Sequence, residues 1–253
     1  MIRLIKADFY RVLHTKGFLA TAIAVIAYGL SIVLTGGSGG VSVNQDPSAA
    51  MPSGTDLKTS IDAAIYSSSI LVYLLIGVFV IVLGYEFTQK TYKNSLTAGA
   101  SRLQFVVAKY ISQVVYLSFF IVLYFVTVML TAYLKFGSTQ ANFLAFAGQT
   151  ILLAIAIGLL ISVVFSLASV LLVGLGSMVG AAVFIVLYPI LIQVMYSIMN
   201  WEQLKYFDFF GFIQVLGVGQ VKFDEILPYV IVSAAVTLLS LVASTLLIRN
   251  KEL

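Results

Sequence analysis

An all-α integral membrane protein with six transmembrane helices is the fold class this sequence predicts, and three observations predict it. Apolar residues make up 61% of the 253 and charged residues 9%, where soluble domains hold roughly 45–50% and 25%. The mean hydropathy is +1.07. Six apolar runs, at 17–35, 65–83, 110–134, 143–173, 179–199 and 227–248, are long enough at about 1.5 Å per residue to cross a hydrocarbon core roughly 30 Å thick. None alternates as a membrane β-strand does.

Residues 1–16, "MIRLIKADFYRVLHTK", precede the first run. At helical spacing Ile2, Ile5, Phe9, Val12 and Leu13 form one stripe with Arg3, Arg11 and His14 opposite, which predicts an amphipathic helix lying along the inner leaflet with its basic face toward anionic headgroups. The first run is too long for the h-region of a cleaved signal, and "TGGSGG" after it is a poor cleavage site. The Gly-, Ser- and Pro-rich stretch 36–64 reads as an outer connector before span two. Residues 84–101 form a polar loop before span three. In the fourth run small residues recur at Ala154, Gly158, Ser162 and Ser166, followed by Gly176 and Gly180 in a G-x-x-x-G. Such spacing lets helix backbones approach closely, either within one chain or across a dimer seam. Residues 200–226 are too apolar for a solvated loop and too charged for a span. With Phe207, Phe209, Phe210 and Phe212 at their centre, they predict short re-entrant helices at the outer interface, either an interfacial anchor or an outer gate.

Ten of the fourteen Lys and Arg fall on one set of loops: Arg3, Lys6, Arg11, Lys16, Lys90, Lys93, Arg102, Lys109, Arg249 and Lys251. The positive-inside rule therefore places both termini in the cytoplasm. The six runs carry no charge, which disfavours proton or sodium coupling and intramembrane catalysis. There is no cysteine and one histidine, so disulfides, thiolate metal sites and cysteine nucleophiles are excluded. No G-x-x-x-x-G-K-[ST] phosphate loop is present, so no nucleotide is expected to be hydrolysed by this chain through that motif. The chain is expected to hold no cofactor or metal of its own and to bind no nucleic acid.

The segment "YEFTQKTYKNSLTAGASRLQFVVAK" carries four of the basic residues. From Glu86 to Ala98 it reads as a short helix with Glu86 and Lys90 at the i, i+4 spacing, stopped at Gly99. Ser101 and Gln104 then form a capping box for span three. This stretch resembles the cytoplasmic segment of permease subunits of ABC-2-type exporters, where a Glu ends helix two and a Thr, a Leu, a Ser-Arg pair and a Lys follow. Those positions fall on Glu86, Thr91, Leu96, Ser101 with Arg102, and Lys109. The residue usually before the Thr is Gly, and here it is Lys90. The six-span layout, the leader and the polar insertion before helix six also fit.

The resemblance implies a coupling helix that docks into a cleft on a cytoplasmic ATP-binding cassette ATPase, with Glu86, Phe87, Lys90, Thr91, Lys93, Asn94, Leu96, Gly99, Ser101, Arg102 and Lys109 as the coupling residues. It implies ATP and Mg on that partner chain, and pairing with a second copy of this chain or with a related permease in a bacterial cytoplasmic membrane. It also implies that the aromatic insertion closes the outer mouth. The uncharged spans fit an amphipathic or hydrophobic cargo, such as a peptide, a bacteriocin-like antibiotic or a lipophilic drug, in export or self-immunity. The alternative reading is a non-transporting membrane scaffold or sensor that anchors a cytoplasmic partner.

Overall fold

The computed structural model describes residues 2–39, 53–97, 99–137, 142–199, 201–217 and 223–250. Among them there is no strand, and six helices are long and apolar enough to cross a membrane: Lys16–Thr35, Leu57–Thr88, Arg102–Phe136, Phe143–Leu175, Met178–Met199 and Ile226–Arg249, here spans one to six. The chain is a multi-pass membrane protein. A leader helix, Ile2–Leu13, precedes span one, and two short helices, Tyr92–Thr97 and Phe209–Gly217, stand before spans three and six.

Span three is the hub. It packs on spans one, two, four and six and on the leader, while span four also packs on spans five and six. One end of the bundle, here the basic end, gathers the leader, residues 85–101, the turn between spans four and five, and the end of span six.

Several spans begin outside the apolar runs. Span two starts at Leu57 rather than at residue 65 because Asp56 caps it: the Thr59 N–H donates to Asp56 Oδ1 at 2.8 Å and the Asp56 N–H to Thr59 Oγ1 at 2.9 Å. The backbone N–H of Thr59 holds the Asp56 carboxyl below its ordinary range. The connector therefore ends at Asp56, and its middle, 40–52, lies outside the described residues. Span three starts at Arg102, capped by Ser101 and Gln104 in the expected box (3.2 and 3.4 Å).

Polar groups inside a bilayer must find partners within the protein, and span two shows how. It tightens to a 3₁₀ turn at Ser68–Ile70, where the Tyr28 hydroxyl donates to the Ser67 carbonyl at 3.0 Å and the buried Tyr124 hydroxyl to that of Ala64 at 3.1 Å. These bonds tie spans one, two and three. Near the basic end the same span loosens to a π-turn over Val80–Gly84, with the Tyr85 N–H bonded to the Val80 carbonyl five residues back.

The small-residue stripe of span four packs inside the chain. Ala154, Gly158, Ser162 and Ser166 are all buried. A Cβ at Gly158 would lie 3.1 Å from Ser118 Cα, so this glycine sets how closely spans three and four approach. Tyr110 and Ser162 bridge the same two spans at 3.0 Å. The G-x-x-x-G does not lie on one helix: Gly176, at φ 67°, ends span four as its C-cap, and Gly180 belongs to the first turn of span five.

The aromatic insertion also packs inward. Phe209, Phe210 and Phe212 are buried and Phe207 is 37% exposed. Phe212 stacks on Tyr229 of span six at 4.0 Å, and the Phe207 carbonyl accepts from Tyr188 of span five at 3.0 Å. Asp208 caps Phe209–Gly217 by accepting from the Gly211 N–H at 2.9 Å. Burial raises its carboxyl above the ordinary range, opposed by that bond and by one from Gln193.

Candidate functional site

The apolar stripe of the leader gives the first correction. Only Ile5, Phe9 and Val12 turn toward the protein, whereas Ile2 and Leu13 are 71% and 51% exposed. The helix is rolled so that Asp8 is buried and Arg11 turns inward, away from the polar face that helical spacing assigned to it.

The roll brings together a cluster of four charges, with Asp8, Glu86 and Lys109 buried and Arg11 half-exposed at its edge. Lys109 Nζ, in the second turn of span three, donates to Asp8 Oδ1 at 2.5 Å and to Glu86 Oε1 at 2.6 Å. Arg11 Nη1 donates to the same Glu86 oxygen at 2.6 Å, and Arg11 Nη2 reaches the Val82 carbonyl at 2.9 Å and Asp8 Oδ1 at 3.4 Å. The second oxygen of Asp8 accepts from Ser112 at 3.3 Å, and Tyr116 donates to the Phe9 carbonyl at 3.2 Å. Lys109, Ser112 and Tyr116 stand at i, i+3 and i+7, so one face of span three grips the leader. Glu86 Oε2 and both amide atoms of Gln113, one turn beyond Lys109, have no hydrogen-bond partner among the described residues.

Two acids and two bases give the cluster no net charge. That balance matters because an isolated ion buried in low dielectric costs several kcal/mol, and a pair offsets this only with good geometry. Burial raises the Asp8 carboxyl above its ordinary value, with the Lys109 charge opposing. The arrangement holds three elements in one place: the leader, the end of span two and the start of span three.

The π-turn is part of the same site. Tightening or loosening of a helix leaves carbonyls outside the regular ladder, and Arg11 takes the one at Val82. The guanidinium thus spans the π-turn and the carboxylate that follows it.

Residues 85–101 are broken twice, not once. The helix of span two ends at Thr88, and a turn follows in which Lys90 has φ 57°. Helix Tyr92–Thr97 comes next, then Gly99 at φ 92°. The expected Glu86–Lys90 pair does not form, since Glu86 turns to Lys109 and Arg11 while Lys90 is exposed. Lys90 occupies a left-handed conformation that glycine adopts without steric cost and other residues adopt at about 1–2 kcal/mol. Lys90→Gly should therefore raise stability by ~0.5–1 kcal/mol, read as a higher melting temperature of the purified chain.

Of the other coupling residues, Phe87 is buried and stacks on Tyr92 at 4.7 Å and edge-on to Phe105 at 6.3 Å. Leu96, 9% exposed, belongs to the same buried cluster. It is a contact of this chain with itself, not an outward docking residue. Thr91, Asn94 and Thr97 are exposed with Lys90, while Lys93 and Arg102 are half-buried and Ser101 caps span three. The segment is a turn–helix–turn with an apolar underside and a polar outer face.

Helical spacing of apolar residues could not find Asp8 or Arg11. A sharper signal was present: Asp8 is the sole acid in the first 45 residues, and it borders the apolar stripe one turn before Val12. No family model matches the chain, and comparison with curated proteins and with solved structures found no match.

Proposed function

We propose that this chain is the membrane-spanning permease subunit of an ATP-driven exporter, with ATP and Mg held by a separate cytoplasmic ATPase. The observation that carries the reading is the ion cluster beneath the turn–helix–turn at 85–101. Glu86, Arg11, Lys109 and Asp8 clamp the leader to spans two and three where that segment leaves the bundle. A push on the outer face at Lys90, Thr91, Asn94 or Thr97 would reach both spans through bonded contacts rather than through a slack loop. Six spans and the basic bias of this end fit the same reading, with both termini in the cytoplasm and the exposed edge of the leader, Ile2 and Leu13, resting in the inner leaflet of a bacterial cell membrane. A second copy or a related permease would complete the complex, and the cargo would be an amphipathic or hydrophobic molecule such as a peptide antibiotic.

The test uses the absence of native cysteine. Single cysteines at Ser48 and Gln220, both outside the described residues, should react with an impermeant maleimide on intact cells, and one at Asn94 should react only after the membrane is opened. The tagged chain, purified from its native membrane in mild detergent, should carry with it a protein that hydrolyses ATP. Asn94→Trp should lower that co-purification at least several-fold while leaving the melting temperature of the chain unchanged. Labelling of Asn94→Cys from outside overturns the orientation and the coupling reading with it, and capture without any ATPase overturns the exporter reading in favour of a scaffold.

A further inference from the structure

A cavity of about 590 Å³ lies between spans three, four and six and the short helix Phe209–Gly217. Phe212, Leu216 and Ile226 line one end of it and Tyr110 the other. Along span six the lining runs from Ile226 to Leu238, twelve residues or roughly 18 Å. The hydrocarbon depth of one leaflet, half of the bilayer core, is roughly 15 Å. The slot is therefore long: along span six it reaches the middle of that helix, and at Tyr110 it extends toward the basic end.

Its chemistry is narrow. Among the described residues no charged side chain lines it, and the hydroxyls there are those of Tyr110, Ser233 and Thr237. Tyr110 is bonded to Ser162, and Ser233 donates to the Tyr229 carbonyl at 2.6 Å. Neither asks for a polar ligand. Leu159, Val230 and Leu238 line the slot and are also 50%, 53% and 64% exposed, so it opens sideways onto the apolar surface of the spans. In a bilayer that surface is in contact with acyl chains, and an unfilled apolar slot would forfeit dispersion contacts along its whole lining.

We propose that this slot is a binding site for one phospholipid acyl chain, entering from the leaflet on the side of the short helix Phe209–Gly217 and reaching to Tyr110. A chain seated there fills the gap between spans four and six and braces the short helix through Phe212 and Leu216. The site does not depend on the exporter reading, since it needs neither an ATPase nor a cargo.

The experiment is run on the full chain in detergent. A bimane fluorophore is attached to Ala234→Cys, which lines the slot, and in a second protein to Leu239→Cys, which is 68% exposed and outside the lining. Each is titrated with phosphatidylcholine carrying a nitroxide on its acyl chain. Quenching at position 234 should saturate at about one lipid per chain, whereas quenching at 239 should rise in proportion to the lipid in the micelle. Ala156→Phe, which fills the slot from an exposed position, should remove the saturable component. Unlabelled long-chain phosphatidylcholine should displace the nitroxide lipid several-fold more effectively than a short-chain form, a comparison that decides the matter even where the filled variant fails to purify. Proportional quenching at both sites, indifference to chain length, stronger displacement by a lipophilic peptide than by lipid, or a disulfide linking position 234 of two copies would each overturn the proposal.

Discussion

Lys109→Met should destabilise the basic end of the bundle by about 3–5 kcal/mol, the usual consequence of removing one partner from a buried ion pair. Lys109 is 3% exposed and sits between Asp8 and Glu86. Without it, two buried carboxylates share Arg11 alone. A methionine fills the stem but leaves the charge uncompensated, so the loss is electrostatic rather than a cavity. The sign of its pH dependence follows from Asp8. Burial already raises that carboxyl and Lys109 opposes the rise, so removing Lys109 raises it further. A carboxyl whose folded pKa stands above its unfolded one gives stability that is present at low pH and lost as pH rises through the folded pKa. The variant should therefore recover part of its melting temperature on acidification, whereas the parent should recover less. Combining Lys109→Met with Asp8→Asn should cost less than the sum of the two single changes. Equal melting temperatures for parent and Lys109→Met would show that the cluster is not holding the three elements together.

Leu96→Asp and Asn94→Trp lie two residues apart and should act by different routes. Leu96 belongs to the buried cluster that includes Phe87, Tyr92 and Phe105. Its replacement forfeits about 2–5 kcal/mol, the range for truncating a buried leucine, and adds the desolvation of a carboxylate. The short helix should detach, and amide hydrogen exchange should lose protection over Tyr92–Thr97 in the isolated chain. Partner capture would then fail as a secondary effect. Asn94 is exposed, so Asn94→Trp should leave exchange protection intact and reduce capture alone. Loss of capture in both with loss of protection in neither would place Leu96 on the outer face after all.

Most of the fold was legible because a bilayer leaves few options: a long uncharged run must be a helix. The runs marked the apolar part of each span and missed the polar ends. Span two begins eight residues before its apolar run, because an Asp–Thr capping box outweighs the hydropathy of "LKTSIDAA". Span three takes in Lys109, which looks like a loop residue in one dimension and is buried in three. The candidate site was half visible. Glu86 and Lys109 were marked by their positions in the polar segment, and the Ser101 cap by its spacing. Asp8 and Arg11 were not, since their partners lie 71 to 104 residues away and no local periodicity encodes a pairing of that range. The break at Lys90 was signalled only through the resemblance, which has a glycine at that position, because a lysine itself gives no local warning of a left-handed backbone.

The π-turn at Val80–Gly84 also fixes an angular phase. A π-turn holds one residue more than the α-turn it replaces, and each residue advances an α-helix by about 100°. The two parts of span two are thus indexed separately, like two lengths of thread cut with an offset between them. The first part sets Leu75, Val78 and Phe79 into the core, and the second presents Glu86 to Lys109. Deleting one residue within 80–84 would bring the two lengths into a common thread. The first set of contacts would survive, and Glu86 would swing by about 100° out of line with its lysine. The extra residue is what lets a single helix serve an apolar neighbour along most of its length and an ionic one at its end.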